Sequence, residues 1–234
     1  GSMSGQPLDE AKKSAIMMVQ NMTSKDRISI ISYDDEANLI VPSTLCSNKE
    51  LIIQCINGIN CGGMTNLHTG WLLGAEEVAK YKNKKSINRV LLLSDGNANR
   101  GLTDINEINE QCSGLADTGV TTSTYGLGIH FNELLMIEMA KNGLGQSYYG
   151  ETAQDLLDPF KEEFELLQNI IATDIKLKFT SPKFIKTKLM NNFRRDEGKS
   201  CWFMPDMAKD GEGWALFRLN LGENYIKSKA IEVI

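Results

Sequence analysis

Arg89-Val90-Leu91-Leu92-Leu93-Ser94-Asp95-Gly96 limits the fold more than any other stretch of the chain. Val90 to Leu93 is an unbroken apolar run, too short for a typical helix and bounded by polar residues. That is the pattern of a strand buried on both faces of a parallel sheet. The run stops at a carboxylate followed by glycine. In open α/β sheets, ligands bind just beyond the carboxyl ends of the strands. Asp95 is therefore either a site residue or the cap of the next helix.

The flanking segments alternate between two periods. Leu8, Ala11, Ala15, Met18 and Met22 recur at helical spacing, with Pro7 suited to the first turn. Arg27 to Tyr33 and Ala37 to Val41 read as a hairpin around the acidic turn Asp34-Asp35-Glu36, the second strand stopped by Pro42. A solvated turn is the better reading of those three acids than a second cation site. Asn48 to Gly58 predicts a helix with Leu51, Ile52, Cys55 and Ile56 inward. A glycine-rich loop around Thr65 follows. Asn66 to Tyr81 is then a helix through Leu67, Trp71, Ala75 and Val78, with Trp71 in the core. After the central strand come a helix over 104–117, with Asp104 a candidate N-cap, and a threonine-rich strand over 120–127. A helix over 132–141, a short strand over 146–149, and a last helix from Thr152 to about Ile171, kinked by Pro159, complete this part. Such alternation predicts a wound sheet with helices on both faces.

From Asp174 the pattern changes to period two. Ile175, Leu177 and Phe179 alternate with lysines, and the segments 183–190, 201–204, 214–221 and 226–234 are strand-like. These predict antiparallel strands with one wet face. Trp202 and Trp214 are expected to fill that β layer, and 191–199 to be a charged turn. The boundary is placed so that 1–172 is an α/β domain and 173–234 a β-rich extension.

The net charge of −5 gives no electrostatic case for nucleic acid, and no apolar run reaches membrane-span length. The five cysteines, Cys46, Cys55, Cys61, Cys112 and Cys201, lack metal-ligand spacing and read as reduced, packed thiols of a cytoplasmic protein. His68 reads as a half-exposed helix residue and His130 as a loop residue. No Ser/His/acid set has recognisable spacing, Gly62-Gly63 lacks the lysine of a phosphate loop, and Gly126-Leu127-Gly128 lacks a third glycine. The chain is expected not to be an enzyme.

Three polar loops offer Ser2, Thr65 and Asp95. Two hydroxyls and a carboxylate suit a hard divalent ion, and neighbouring glycines let backbone approach it. Against this, Thr65 could instead cap the helix beginning near Asn66. Gly1-Ser2-Met3-Ser4-Gly5, Gly63-Met64-Thr65-Asn66-Leu67, Ser94-Asp95-Gly96-Asn97 and Tyr125-Gly126-Leu127-Gly128 occur in an order that resembles the von Willebrand factor A-type domain over 1–172. The resemblance implies a doubly wound, mostly parallel Rossmann-like α/β sheet flanked by helices, followed by a small antiparallel β-rich domain. It also implies a metal-ion-dependent adhesion site. In that family an Asp-x-Ser-x-Ser loop, a threonine and an aspartate hold Mg²⁺ or Mn²⁺, and a partner's carboxylate completes the shell. By position, Ser2 is the second serine, Thr65 the threonine and Asp95 the later aspartate.

The leading Asp and first Ser of that pattern, and the strand before them, would fall ahead of residue 1. Either the natural protein continues upstream, or Gly1-Ser2 is a cloning remnant before Met3. In both cases a central strand is expected to be missing or supplied from elsewhere. Mg²⁺ is then expected to bind weakly or not at all to this chain, and strand exchange or oligomerisation is open. The function expected is a protein–protein interaction module that binds partner carboxylates through the ion. The alternative is a scaffold or substrate-recruiting subunit of a larger enzyme or ubiquitin-ligase-like assembly. A metal-dependent hydrolase is disfavoured by the lack of a nearby general base.

Overall fold

The computed structural model describes residues 5–60, 62–94, 100–128, 132–181, 185–196 and 201–221, and the chain divides into two units, 1–168 and 169–234. In the first unit strands and helices alternate: α1 (Gln6–Asn21), β1 (Arg27–Tyr33), β2 (Ala37–Leu45), α2 (Lys49–Asn57), α3 (Leu67–Ala79) and β3 (Arg89–Ser94). They continue as α4 (Ile105–Asp117), β4 (Thr121–Leu127), α5 (Glu133–Asn142), β5 (Leu144–Gly150) and α6 (Leu157–Asn169). This is an α/β fold, a parallel sheet flanked by helices.

β3, β4 and β5 pair in parallel in that order. Val90 and Leu92 of β3 pack in one cluster with Leu67 and Trp71 of α3, Ile108 of α4 and Met139 of α5. Leu91 and Leu93 point the other way and pack with Met17 and Met18 of α1, Tyr125 and Phe160. The apolar run is thus covered on both faces, as its sequence requires.

β4, the middle strand, buries three consecutive hydroxyls, those of Thr122, Ser123 and Thr124, and each of the three is bonded. Thr122 Oγ1 accepts from Trp71 Nε1 at 3.1 Å. Thr124 Oγ1 donates to the Met136 carbonyl at 2.9 Å. Between them, Ser123 Oγ faces the opposite side and donates to Glu163 Oε1 at 2.7 Å. Glu163, fully buried on α6, also accepts from Arg89 at 2.6 Å and from the Tyr148 hydroxyl at 2.9 Å. Burial, with the Glu163 charge second, raises the Tyr148 phenol above its usual range.

β1 and β2 form the expected hairpin, but Pro42 does not stop β2. The strand continues to Leu45, because Pro42 is exposed where the register shifts between Ile28↔Thr44 and Ile30↔Val41. A bulge is where a strand tolerates a residue without an N–H. The next amide, Ser43, donates to buried Glu77 of α3 at 2.8 Å. Lys80 first, and then that amide, hold the Glu77 carboxyl below its usual range. β1 and β3 both lie against α3. A Cβ on Gly74 would touch Val90 of one and Ile31 of the other, and the Tyr33 hydroxyl donates to the Leu93 carbonyl at 2.7 Å. Among the described residues no ladder joins these two strands.

Three smaller expectations change. Leu51 is 55% exposed, because the buried stripe of α2 runs through Ile52 and Ile56, one position on. The last helix is preceded by a 3₁₀ turn over Ala153–Leu156 and stops at Asn169, so Pro159 falls in the first turn of α6, where it removes no helical hydrogen bond. The short strand begins at Leu144, directly after the α5 cap at Gly143.

The second unit contains small antiparallel sheets. β6 (Ile170–Ala172) pairs with β11 (Met207–Ala208), and β7 (Lys176–Leu177), β10 (Cys201–Phe203) and β9 (Arg195–Asp196) form a three-stranded sheet. β8 (Ile185–Leu189) pairs with β12 (Phe217–Leu221). The charged segment expected as a turn therefore contains a strand: Arg195 and Asp196 pair with Trp202 and Cys201. Phe179 stacks on Phe217 at 4.3 Å, and Trp202 meets Phe217 edge-on at 5.7 Å. Trp202 belongs to this aromatic layer. Trp214 does not: it is 76% exposed.

Candidate functional site

Of the three proposed ligands, Thr65 lies among the described residues, half-buried; Ser2 and Asp95 lie outside them, as does His130. The competing explanations for Thr65 and Asp95 can be checked at the helix caps. The N-cap of α3 is Asn66, whose Oδ1 accepts from Thr69 Oγ1 at 2.8 Å and Thr69 N at 3.4 Å. Thr65 precedes the cap. The N-cap of α4 is Asp104, accepting from the amides of Asn106 and Glu107 at 2.9 and 3.0 Å. The capping roles that could have accounted for Thr65 and Asp95 are thus filled by other residues.

The acidic turn is more than a solvated bend. The Asp34 carbonyl accepts from Asn66 N at 2.7 Å, and Asp35 Oδ1 accepts from Met64 N at 3.1 Å. Asp35 Oδ1 also takes Arg100 at 2.6 Å. The Met64 amide first, and then Arg100, hold the Asp35 carboxyl below its usual range. A Cβ on Gly62 or Gly63 would collide with the Asp34 or Asp35 carboxylate, which is why the loop carries two glycines. Gly101 has φ +73° and lies against Asn66. The Thr65 loop and the segment that resumes after β3 are therefore both held to the tip of the β1–β2 hairpin. Sequence reading missed Asp35 and Arg100. The available signal was the pair of glycines opposite a run of acids.

The other candidate side chains among the described residues have structural surroundings. His68 is half-buried, with Nε2 2.8 Å from Gln111 Oε1, as expected of a structural helix histidine. Cys46, Cys112 and Cys201 are buried free thiols and Cys55 is partly buried; Cys61 lies outside the described residues. Among the described residues no group of three or more His, Cys, Asp or Glu could hold a metal ion. Among the described residues no helix is long and apolar enough to cross a membrane. Thr65, a hydroxyl on a braced glycine-rich loop, fits the hard-oxygen chemistry of Mg²⁺ or Mn²⁺ and not that of a thiolate- or imidazole-bound metal.

The von Willebrand factor type A domain family matches residues 1–162. The uncharacterised protein YfbK of Escherichia coli K12 is 30% identical over 178 residues, covering 75% of this chain and 31% of that protein. The chain spans less than half the length of the curated relatives it matches. Among solved structures, the von Willebrand factor type A protein of Catenulispora acidiphila superposes with a TM-score of 0.70 at 14% identity, covering 94% of this chain and 54% of that one. Proximal thread matrix protein 1 of the mussel byssus, solved with a zinc-occupied MIDAS motif, superposes with a TM-score of 0.57 at 18% identity, covering 69% and 40%.

Proposed function

The chain belongs to the von Willebrand factor type A family, and from that premise we propose that it is a non-catalytic protein-interaction module. Its partner presents a carboxylate to a divalent cation held by Ser2, Thr65 and Asp95. The bound ion would supply a fixed positive charge for that carboxylate to ligate. The chain's own contribution is positional. Asp35, through Met64 N, fixes the loop that carries Thr65, and through Arg100 it ties in the segment returning from β3. This shared anchor is the observation that supports the reading, because oxygen donors from separate loops make a site only if the loops are held together.

The affinity of such a site follows the number of charged ligands. Of the three, Asp95 alone is charged, so its loss should weaken Mg²⁺ binding more than the loss of either hydroxyl. The test is a Mn²⁺ titration followed by electron paramagnetic resonance. Thr65→Val and Asp95→Ala should each reduce the bound fraction while the circular dichroism spectrum stays unchanged. Binding indifferent to both substitutions would overturn the assignment of the ligands.

A further inference from the structure

The β8–β12 ribbon of the second unit has one face whose charges meet no counter-charge among the described residues. Its inner face carries Ile185, Thr187, Leu189 and Phe217. Its outer face carries Lys186 and Lys188 on β8 and Arg218 and Asn220 on β12, all exposed. Lys188 is the direct cross-strand partner of Arg218. Like charges placed opposite one another destabilise a strand pair. Among the described residues no acidic residue lies on this face, and none of the three cations has an ion-pair partner.

The same face ends in an apolar cluster. Met190 N bonds the Leu216 carbonyl, extending the ladder by one pair, so Met190 and Leu216 stand in line with Lys188 and Arg218. Asn191 fixes this end, accepting from Leu216 N at 2.7 Å and donating to the Trp214 carbonyl at 3.1 Å. Met190, Leu216 and Trp214 are 41%, 67% and 76% exposed. The ladder thus holds the basic strip in line with Met190 and Leu216, and Asn191 ties the Trp214 backbone to the same end.

We propose that this face docks a short extended segment of a partner protein, with carboxylates at alternate positions and an apolar residue at one end. In an extended peptide, every second side chain points the same way at a spacing of about 7 Å, which matches the Lys186–Lys188 repeat. Charge argues for a discrete peptide over an anionic membrane. Residues 169–234 hold twelve Lys and Arg against eight Asp and Glu, whereas the whole chain is −5. An extended negative plane would repel the remainder of the chain, but a short acidic segment addresses only the ribbon. The contact needs no divalent ion and is independent of the Thr65 site.

The probe is a dye-labelled peptide with glutamates at alternate positions and a Leu-Phe end, followed by anisotropy with the full chain. Binding is expected in low salt, weakened by added salt and unchanged by EDTA. Lys188→Glu and Arg218→Glu should each cost about tenfold in affinity. Each replaces a repulsive cross-strand pair with an attractive one, so folding is not at risk. Peptide binding should also blue-shift the emission of Trp214, and Trp214→Phe should abolish the shift. Absence of binding, equal affinity for a peptide with lysines in place of the glutamates, or indifference to both charge reversals would each overturn the proposal. So would binding of phosphatidylserine vesicles in preference to the peptide, or a mass doubling in light scattering that depends on Trp214, which would make the occupant a second copy. EDTA-sensitive peptide binding would reassign the contact to the metal site; failure of Mn²⁺ binding alone would leave this proposal standing.

Discussion

Glu163→Ala should be among the most damaging single changes in the first unit. The carboxylate is fully buried, and the Arg89 side chain it meets at 2.6 Å is 4% exposed. Removing one partner of a buried ion pair leaves a desolvated charge without its counter-ion, which costs about 3–5 kcal/mol. In a protein of this size each kcal/mol lowers Tm by roughly 2–4 °C, so the expected drop is roughly 6–20 °C. Thermal unfolding by circular dichroism measures it, with urea titration giving the free energy independently. Two companion variants separate charge from shape. Glu163→Gln loses the charge and keeps one acceptor oxygen, enough for Ser123 or Tyr148 but not for both, and should fall between wild type and Glu163→Ala. The double variant Arg89→Met with Glu163→Leu removes both charges and should recover at least half of the loss, because apolar replacement of a whole buried pair is often close to neutral. Its shortfall should come from Ser123 and Tyr148, whose hydroxyls would both lose their acceptor. A loss below about 1 kcal/mol in Glu163→Ala, or a double variant as unstable as the single, would refute the account of this pair as a buried and mutually dependent unit.

Asp35→Ala should speed hydrogen exchange at the Met64 and Asn66 amides, read by mass spectrometry, without unfolding α3; unchanged exchange would show that the anchor does not hold the loop. Because the folded carboxyl is below its ordinary value of 3.8, its contribution should be complete above that pH and vanish as pH falls through the lower folded value. Burial pushes the Cys112 thiol up to about 12 from 9.0, so Cys112 in the native chain should resist thiol reagents at neutral pH. As pH rises from 9.0 towards 12, the unfolded chain sheds this proton and the folded chain keeps it. Stability should therefore fall by up to about 1.4 kcal/mol per pH unit, with a shallower slope in Cys112→Ala when urea unfolding is repeated across that window. Lys188→Glu should raise stability by about 0.2–1 kcal/mol through the new pair with Arg218, measured by urea unfolding; a loss would contradict the cross-strand register.

Features governed by period and punctuation could be read without coordinates. The Val90–Leu93 run, the Asp104 cap and the strand–helix alternation all depend on neighbours within a few residues. What the sequence hid depends on pairs far apart in the chain. The contact of Asp35 with Arg100 spans 65 positions and that of Arg89 with Glu163 spans 74. Neither carboxylate differs, in sequence, from an ordinary surface acid. Pro42 was misread because a proline ends a strand only where its missing N–H is needed, and at the bulge it is not. Trp214 was misread because aromatic residues are usually buried, and nothing local says that this one lies beyond the layer built on Phe217. For the candidate metal site, the loop around Thr65 was legible from its glycines, whereas the anchor that positions it was not.

The hydroxyl-rich middle strand carries a further consequence. Sliding β4 by one residue would swap its faces, turning Thr122 away from Trp71 and Ser123 away from Glu163 in a single move. An aliphatic strand would forgive such a slip, because one methyl group substitutes for another. Here the misaligned arrangement would be rejected by several orphaned dipoles at once, so the polar core works as a combination lock on register, trading some greasy cohesion for a single admissible alignment.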